Sequence, residues 1–370
     1  MMDFLLMAFL YTVSFVTISY IVIAGKYEYH RNGWIGLMRR NLLSAMHLAG
    51  SAFERCVPVS ITRGINNITN YILFTRNPCV QLLYGFLVIG GSSIYTFKVI
   101  PFFDSINVFS VVEYVFIAIN VTFFWICSTK DPGAITAAHH AEYMKDYEPD
   151  GVYYSTAQEC YTCKLVKPAR SKHCSICDVC ISRFDHHCSW VNNCIGKKNY
   201  KSFLGFIIST AILCLYTAFV VTVVFAYIVV SDGLMTMKYV DLDGRHYTAS
   251  FRILTQYLLV HYPLIAILFL TVSLFGLAMS GFSLFHFYLV LTNQTTNELY
   301  KRFFPARHRT RLSRQPRGHG SRNKVAKRRT GTDKHDPSQV TQKITETPWQ
   351  ISTPYNKGVW KNIREVLIQT

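Results

Sequence analysis

FLGFIISTAILCLYTAFVVTVVFAYIVV, residues 203–230, contains no charged side chain. A hydrocarbon core of about 30 Å takes about 20 helical residues, so this stretch alone suffices to cross a bilayer. Backbone N–H and C=O groups in lipid have no water to bond, which makes a helix the expected conformation. Four further stretches meet the same test: Phe4–Ala24, Cys79–Ile100, Val108–Ser128 and Leu258–Leu291, the last carrying Pro263 near its start. The expectation is an all-α polytopic membrane protein with about five transmembrane helices. A hydrophobic content of 50% over 370 residues agrees with it.

The 38 Lys and Arg exceed the 21 Asp and Glu, for a net charge of +17, and they are unevenly spread. They concentrate in 26–76, in 130–201 and after Lys301, whereas 101–107 has none and 231–252 is balanced. The positive-inside rule then places the N-terminus in the lumen and the three basic segments in the cytosol. Asp3 precedes the first apolar stretch and no basic n-region does, which predicts an uncleaved anchor. The sequons at Asn67, Asn120 and Asn293 fall in cytosolic segments or inside a helix, so no glycan is expected on them.

These patterns divide the chain into an N-terminal anchor (1–25), a cytosolic amphipathic loop (26–78), a transmembrane hairpin (79–129) and a cytosolic cysteine-rich domain (130–202). A second transmembrane hairpin (203–292), a Thr-Thr-x-Glu segment (293–304), a basic linker (305–348) and a C-terminal segment (349–370) follow. In the amphipathic loop Trp34, Leu37, Leu42 and Leu43 mix with arginines, as in a membrane-surface helix or a covering element of a bundle. The linker has the composition of a disordered segment. Its run Lys327-Arg328-Arg329 suits anionic lipid or plain solvent, and no nucleic-acid partner is expected.

Seven of the eleven cysteines, with three histidines, crowd into CYTCKLVKPARSKHCSICDVCISRFDHHCSWVNNC, residues 160–194. The Cys-x2-Cys and His-Cys-x2-Cys-x2-Cys spacings suit tetrahedral zinc on thiolate and imidazole. Cys56, Cys79, Cys127 and Cys214 lie in or beside apolar stretches, as packing residues do. Two structural zinc sites take eight ligands and the segment offers ten, so two candidates are left over. A spare Cys and a spare His are what nucleophilic catalysis needs, with a third group to orient the imidazole. Asp185-His186-His187-Cys188 supplies all three types. In extended chain, residues two apart share a face, so His186 and Cys188 can meet while His187 turns to a metal. Asp185 reaches His186 only through a turn. The competing reading is a non-catalytic zinc-binding membrane scaffold or adaptor that leaves Cys188 idle. A transporter is a weaker third, because the apolar stretches carry few ionisable residues.

From Cys160 through Lys167-Pro168, Arg170, His173-Cys174, Cys177, Cys180, the Asp-His-His-Cys tetrapeptide, Cys194, Asn199 and Phe203, the sequence resembles the DHHC-type protein S-acyltransferases. The resemblance implies a palmitoyltransferase in which Cys188 takes an acyl group from palmitoyl-coenzyme A and passes it to cytosolic cysteines of substrate proteins. His186 is then the general base and Asp185 its orienting partner. It further implies that Cys160, Cys163, His173 and Cys180 hold one zinc ion, and Cys174, Cys177, His187 and Cys194 the other. Thr295, Thr296 and Glu298 match the family's TTxE motif, whose second Thr is implied to support the catalytic Asp; Thr-x-x-Glu is equally a helix capping box. Asp131-Pro132-Gly133 is a further landmark, or an ordinary turn. Lys167, Arg170 and Lys172, with Arg183, offset the anionic zinc sites, and the first three are candidates for the phosphates of coenzyme A.

Tyr355, Gly358, Asn362 and Val366 resemble the family's C-terminal motif, which packs on the bundle, although Thr353, Asn356, Leu367 and Ile368 depart from it. Ser189 stands where most members carry Pro. The extra N-terminal helix, Thr75-Arg76-Asn77 and Thr292–Glu298 resemble a narrower vertebrate branch. The bilayer is an implied partner, and the endoplasmic reticulum, the Golgi or the plasma membrane the implied location.

Overall fold

A computed structural model describes residues 14, 17–22, 25, 30, 32–103, 108–151, 153–156, 158–240, 244, 246–303 and 355–368. The anchor expected over 1–25 and the linker expected over 305–348 fall largely or wholly outside the described residues. The chain separates into two units, Met1–Thr75 with Asp232–His261 and Arg76–Ser231 with Tyr262–Thr370.

The first unit contains α1 (Trp34–Cys56) and α2 (Val59–Phe74) where the amphipathic loop was expected. They are separated at Pro58, whose ring excludes the preceding residue from helical geometry. Trp34, Leu48, Val59 and Ile68 are exposed on them. A short ladder of Tyr239–Val240 with His246–Tyr247 and the helix Phe251–His261 complete this unit.

The second unit is built on α3 (Cys79–Ile94), α4 (Val108–Thr129), α5 (Tyr200–Ser231) and α6 (Pro263–Leu291). These four, with α3 extended through a π turn to Phe102, are the helices long and apolar enough to cross a membrane among the described residues. The last begins at Pro263 and not at Leu258. Proline lacks an N–H and is accepted in the first turn of a helix but not in its interior, so it sets the start.

Helix α5 packs along both α4 and α6. Close approach to α4 requires Gly205, because a Cβ there would lie 2.5 Å from the Phe123 ring. Polar side chains also tie the helices together where lipid offers no alternative partner. Asn120 of α4 accepts from Tyr84 Oη (2.6 Å) and donates to Ser209 Oγ (2.9 Å) and Thr210 Oγ1 (2.8 Å). Asn120 and Asn293 are both buried, so neither sequon is presented for modification.

Between α4 and α5 lie two antiparallel hairpins, so the protein is mostly and not wholly helical. The first pairs β1 (Lys172–Cys174) with β2 (Val179–Ile181), the second β3 (His186–Cys188) with β4 (Asn193–Ile195). The second is anchored to the bundle by Asn193, whose Nδ2 donates to the carbonyls of Cys127 (3.1 Å) and Lys130 (2.9 Å) at the end of α4. Cys188, Val191 and Ile195 share one buried apolar cluster with Tyr84, Cys127, Phe203 and Ile207 of the helices. The bundle core thus runs without interruption to the cysteine-rich domain. Two short helices close the unit, α7 (Thr296–Phe303) and α8 (Val359–Leu367). The latter docks through Val366, which joins the same cluster, and through Asn362 Nδ2, which donates to the Leu291 carbonyl (2.7 Å). Cys127 is buried and Cys214 half-buried, as packing residues, but Cys79 is exposed.

Candidate active site and metal centres

Successive residues of a strand point to opposite faces, and this alternation decides which ligands meet. On β1, His173 lies opposite Cys180 while its neighbour Cys174 faces the other way. On β3, His187 lies opposite Cys194. Two donor sets result: Cys160, Cys163, His173 and Cys180, and Cys174, Cys177, His187 and Cys194, with the ligand atoms of each set within 4.8 Å of one another.

In the first set His173 Nδ1 is 3.4 Å from Cys163 Sγ and 3.9 Å from Cys180 Sγ. In the second, His187 Nδ1 is 3.7, 3.4 and 3.6 Å from the sulfurs of Cys174, Cys177 and Cys194. Zn–S and Zn–N bonds of about 2.3 and 2.0 Å give tetrahedral edges of about 3.3–3.8 Å, so spacing and donor chemistry both fit zinc. His173 Nε2 is 3.4 Å from Asp178 Oδ1, a carboxylate suited to fixing the ring's orientation.

Cys188 belongs to neither set and is 9% exposed. With His187 committed to the metal face, His186 and Cys188 occupy the other face of β3. The turn that brings Asp185 to His186 is made by Arg183, in the left-handed region at φ 45°, and by the Asp185 N–H bonding the Ile195 carbonyl (2.9 Å). Asp185 Oδ2 then accepts from His186 Nδ1 at 2.7 Å. Thr296 donates its backbone N–H to Asp185 Oδ1 (2.8 Å) and its hydroxyl to Oδ2 (2.9 Å).

Burial opposes charge on all three groups, yet their mutual contacts prevail. Against the cost of burial, the hydrogen bonds to Asp185 and Cys188 raise the His186 imidazole to about 10. The Cys188 thiol is held below its ordinary value, burial being outweighed by His186 and by the Val191 and Trp190 amides. Asp185 is likewise lowered against burial, chiefly by His186. A buried thiol held below its ordinary value beside an oriented imidazole is a candidate nucleophile with its proton acceptor in place.

Thr295 and Glu298 form a reciprocal capping box: Thr295 N–H donates to Glu298 Oε2 (3.0 Å) and Glu298 N–H to Thr295 Oγ1 (3.2 Å). The box starts α7 and so sets Thr296 under Asp185. Its Glu298 carboxylate has a second use that the sequence did not disclose. Arg170, with 0% exposure, donates through Nε and Nη2 to the two Glu298 oxygens (2.7 and 2.9 Å). Its remaining donors reach the side chain and carbonyl of Asn293 (3.0 and 2.8 Å), and its plane lies 4.5 Å from the Tyr355 ring. The expectation that Arg170 meets the phosphates of coenzyme A is therefore corrected: the guanidinium is buried and its donors are already engaged. Lys172 is exposed, 5.0 Å from the Phe184 ring, and Lys167 is half-buried. Asp131 builds the turn after α4, its Oδ1 accepting from Gly133 and Ala134 (3.1 and 2.9 Å) and its Oδ2 pairing with Lys198 (3.1 Å).

Sequence reasoning also passed over His286, a buried imidazole on α6 whose ring centre is 6.2 Å from that of His186. Its signal was available: an ionisable residue inside an otherwise apolar span.

Two Cys/His donor sets that fit zinc, set beside four helices apolar enough to cross a membrane, with Cys188 in neither set, define a multi-pass membrane protein with a cysteine-rich domain. The model for DHHC palmitoyltransferases matches residues 154–302. The chain is 32% identical to palmitoyltransferase ZDHHC4 of Bos taurus over 373 residues, covering 99% of this chain and 97% of that protein. It is 32% identical to palmitoyltransferase ZDHHC4 of Mus musculus over 81% of this chain and 85% of that one. Palmitoyltransferase ZDHHC9 of Homo sapiens is 38% identical over 44% of this chain and 38% of its own length. The chain belongs to the DHHC palmitoyltransferase family.

Proposed function

We propose that the protein acylates cysteines by a two-step transfer in which Cys188 carries the acyl group. The enzyme class is that of its family: it is a protein S-palmitoyltransferase, a multi-pass membrane acyltransferase acting with an acyl-coenzyme A. The observation that carries the residue assignment is the 2.7 Å bond between Asp185 and His186, with Cys188 on the same strand and outside both donor sets.

In the first step the Cys188 thiolate attacks the thioester carbonyl of palmitoyl-coenzyme A. Collapse of the tetrahedral intermediate expels the coenzyme A thiolate, which takes the proton held by His186. In the second, a substrate cysteine gives its proton to His186, attacks the acyl-Cys188 thioester and releases the Cys188 thiolate. Asp185 holds the His186 tautomer and stabilises the imidazolium. Cys160, Cys163, His173 and Cys180 would hold one zinc ion and Cys174, Cys177, His187 and Cys194 a second. Bound there, one zinc would tie the Cys160–Cys163 segment to the first hairpin and the other would join the two hairpins, a structural role with no chemistry on the acyl group. Lys167 and Lys172 are the remaining candidates for the phosphates of coenzyme A.

Cys188 lies where the bundle core meets the cysteine-rich domain, the depth at which a long-chain thioester can rest with its tail in lipid. The charge distribution supports five spans counting 1–25, a lumenal N-terminus and a cytosolic catalytic domain and tail, with substrates bearing cytosolic cysteines. The domain boundaries read from the sequence go with this topology, as does residence in the endoplasmic reticulum, Golgi or plasma membrane.

The test is labelled palmitoyl-coenzyme A given to purified protein in detergent or nanodiscs. Wild type acquires a hydroxylamine-labile label; Cys188→Ser keeps its zinc and acquires none. Full labelling of that variant would rule out Cys188 as the acyl carrier.

A further inference from the structure

His286 is 1% exposed and sits among the rings of Phe203, Phe282 and Phe285, at centroid distances of 5.0, 4.6 and 5.4 Å. Its Nδ1 is 3.0 Å from the hydroxyl of Tyr200, itself buried. Its Nε2 is buried with no hydrogen-bond partner among the described residues. In a neutral imidazole one nitrogen donates and the other accepts. If Nδ1 carried the proton, the Tyr200 O–H would lose its acceptor and Nε2 would be an unused acceptor, leaving two groups unmet. With the Tyr200 O–H donating to Nδ1, one group is unmet: an Nε2–H donor. Leaving such a donor buried without a partner costs about 1–3 kcal/mol, so an acceptor is expected to arrive during function.

The site offers one. The His286 and His186 rings are 6.2 Å apart, Phe203 contacts both at 5.0 and 5.2 Å, and Phe203 shares its apolar cluster with Cys188. The charge that develops when Cys188 attacks a thioester appears on the carbonyl oxygen, and a donor fixed in an apolar, water-poor enclosure stabilises it most effectively.

We propose that His286 is the oxyanion donor of the acyl transfer, its Nε2–H bonding the thioester oxygen, with Tyr200 fixing the tautomer. This rests on Cys188 being the acyl carrier. His286 transfers no proton: the carbonyl π pair moves to oxygen as the Cys188 sulfur–carbon bond forms, and returns as the bond to the coenzyme A sulfur breaks, that sulfur taking its proton from His186. Tyr200→Phe removes the tautomer lock and is a positioning variant; His286→Phe removes the donor.

Full-length His286→Phe, His286→Gln and Tyr200→Phe, reconstituted in nanodiscs, are compared for single-turnover acyl uptake and for the infrared C=O stretch of the acyl-enzyme made with carbonyl-¹³C palmitate. Loss of an oxyanion donor costs roughly 100-fold or more in rate, which is expected for His286→Phe with little change in KM for palmitoyl-coenzyme A and unchanged zinc content. His286→Gln, which keeps an N–H, recovers part of the rate, and Tyr200→Phe loses part of it. The thioester stretch moves to higher frequency in His286→Phe, a readout that a packing role leaves alone. Wild-type uptake or an unmoved stretch in His286→Phe overturns the proposal. Should that variant misfold, an unmoved stretch together with wild-type uptake in Tyr200→Phe and slow uptake in His286→Gln overturns it as well. A label persisting in Cys188→Ala would instead condemn the carrier assignment, so the two failures are distinct.

Discussion

The hairpins β1–β2 and β3–β4 are built alike, each with three paired residues and each setting a histidine opposite a cysteine of the same donor set. They differ on the other face of their first strand. On β1 that face carries Cys174, which the second donor set takes; on β3 it carries His186 and Cys188, which neither takes. On the proposed reading reactivity comes from surplus: strand face and the filling of each donor set divide the seven thiols into six set members and Cys188.

The largest break in this comparison is His187→Ala. Structural zinc contributes on the order of 10 kcal/mol to folding of such small knots, so the variant should lose zinc from one set and with it the cooperative unfolding of the cysteine-rich domain. Metal analysis and thermal unfolding read this directly. His186→Ala, one residue away but on the opposite face, should retain the full zinc content and slow acyl uptake by roughly 10²–10⁴. Equal zinc loss in the two variants would erase the distinction between the faces.

Smaller is the effect of Thr296→Val, which deletes one of two bonds to Asp185 and keeps the backbone N–H. Uptake should fall about 10-fold, the value of one charge-assisted hydrogen bond, with zinc unchanged. Smallest at neutral pH is a stability effect centred on Glu298. Its carboxyl is lowered against burial by the Arg170 guanidinium. A lowered carboxyl contributes stability above its unfolded value of about 4.3, lost as pH falls through the lower folded value. Wild type should therefore lose thermal stability on acidification below about pH 4.3, and Glu298→Gln should flatten that limb. An identical acid limb in both would detach Arg170–Glu298 from the fold's pH response.

The membrane helices were legible because lipid permits so few backbone solutions that length and apolarity nearly suffice. The number of metal donors was legible because zinc fixes ligand type and count, whereas their division into two sets was implied only by the family resemblance. Three things were not. Pro263, visible as a residue, moved a helix start because a proline at the first turn is tolerated where one in the interior is not. Arg170 looked like an anion-binding cation, and only the fold reveals that it spends its donors on Glu298 and Asn293, more than a hundred residues later in the chain. The turn that delivers Asp185 depends on a left-handed Arg183, a conformation that no local signal announces.

That long-range bonding orders events in time. Among the described residues, every member of the two donor sets lies at or before Cys194, but the groups that brace Asp185 and seat Arg170 come from Asn293–Glu298 and Tyr355. A chain leaving the ribosome presents the donors of both hairpins first, and the Thr296 that braces Asp185 follows 111 residues after it. The donor sets are therefore complete in the chain before the residue that orients the Asp185 carboxylate has been made.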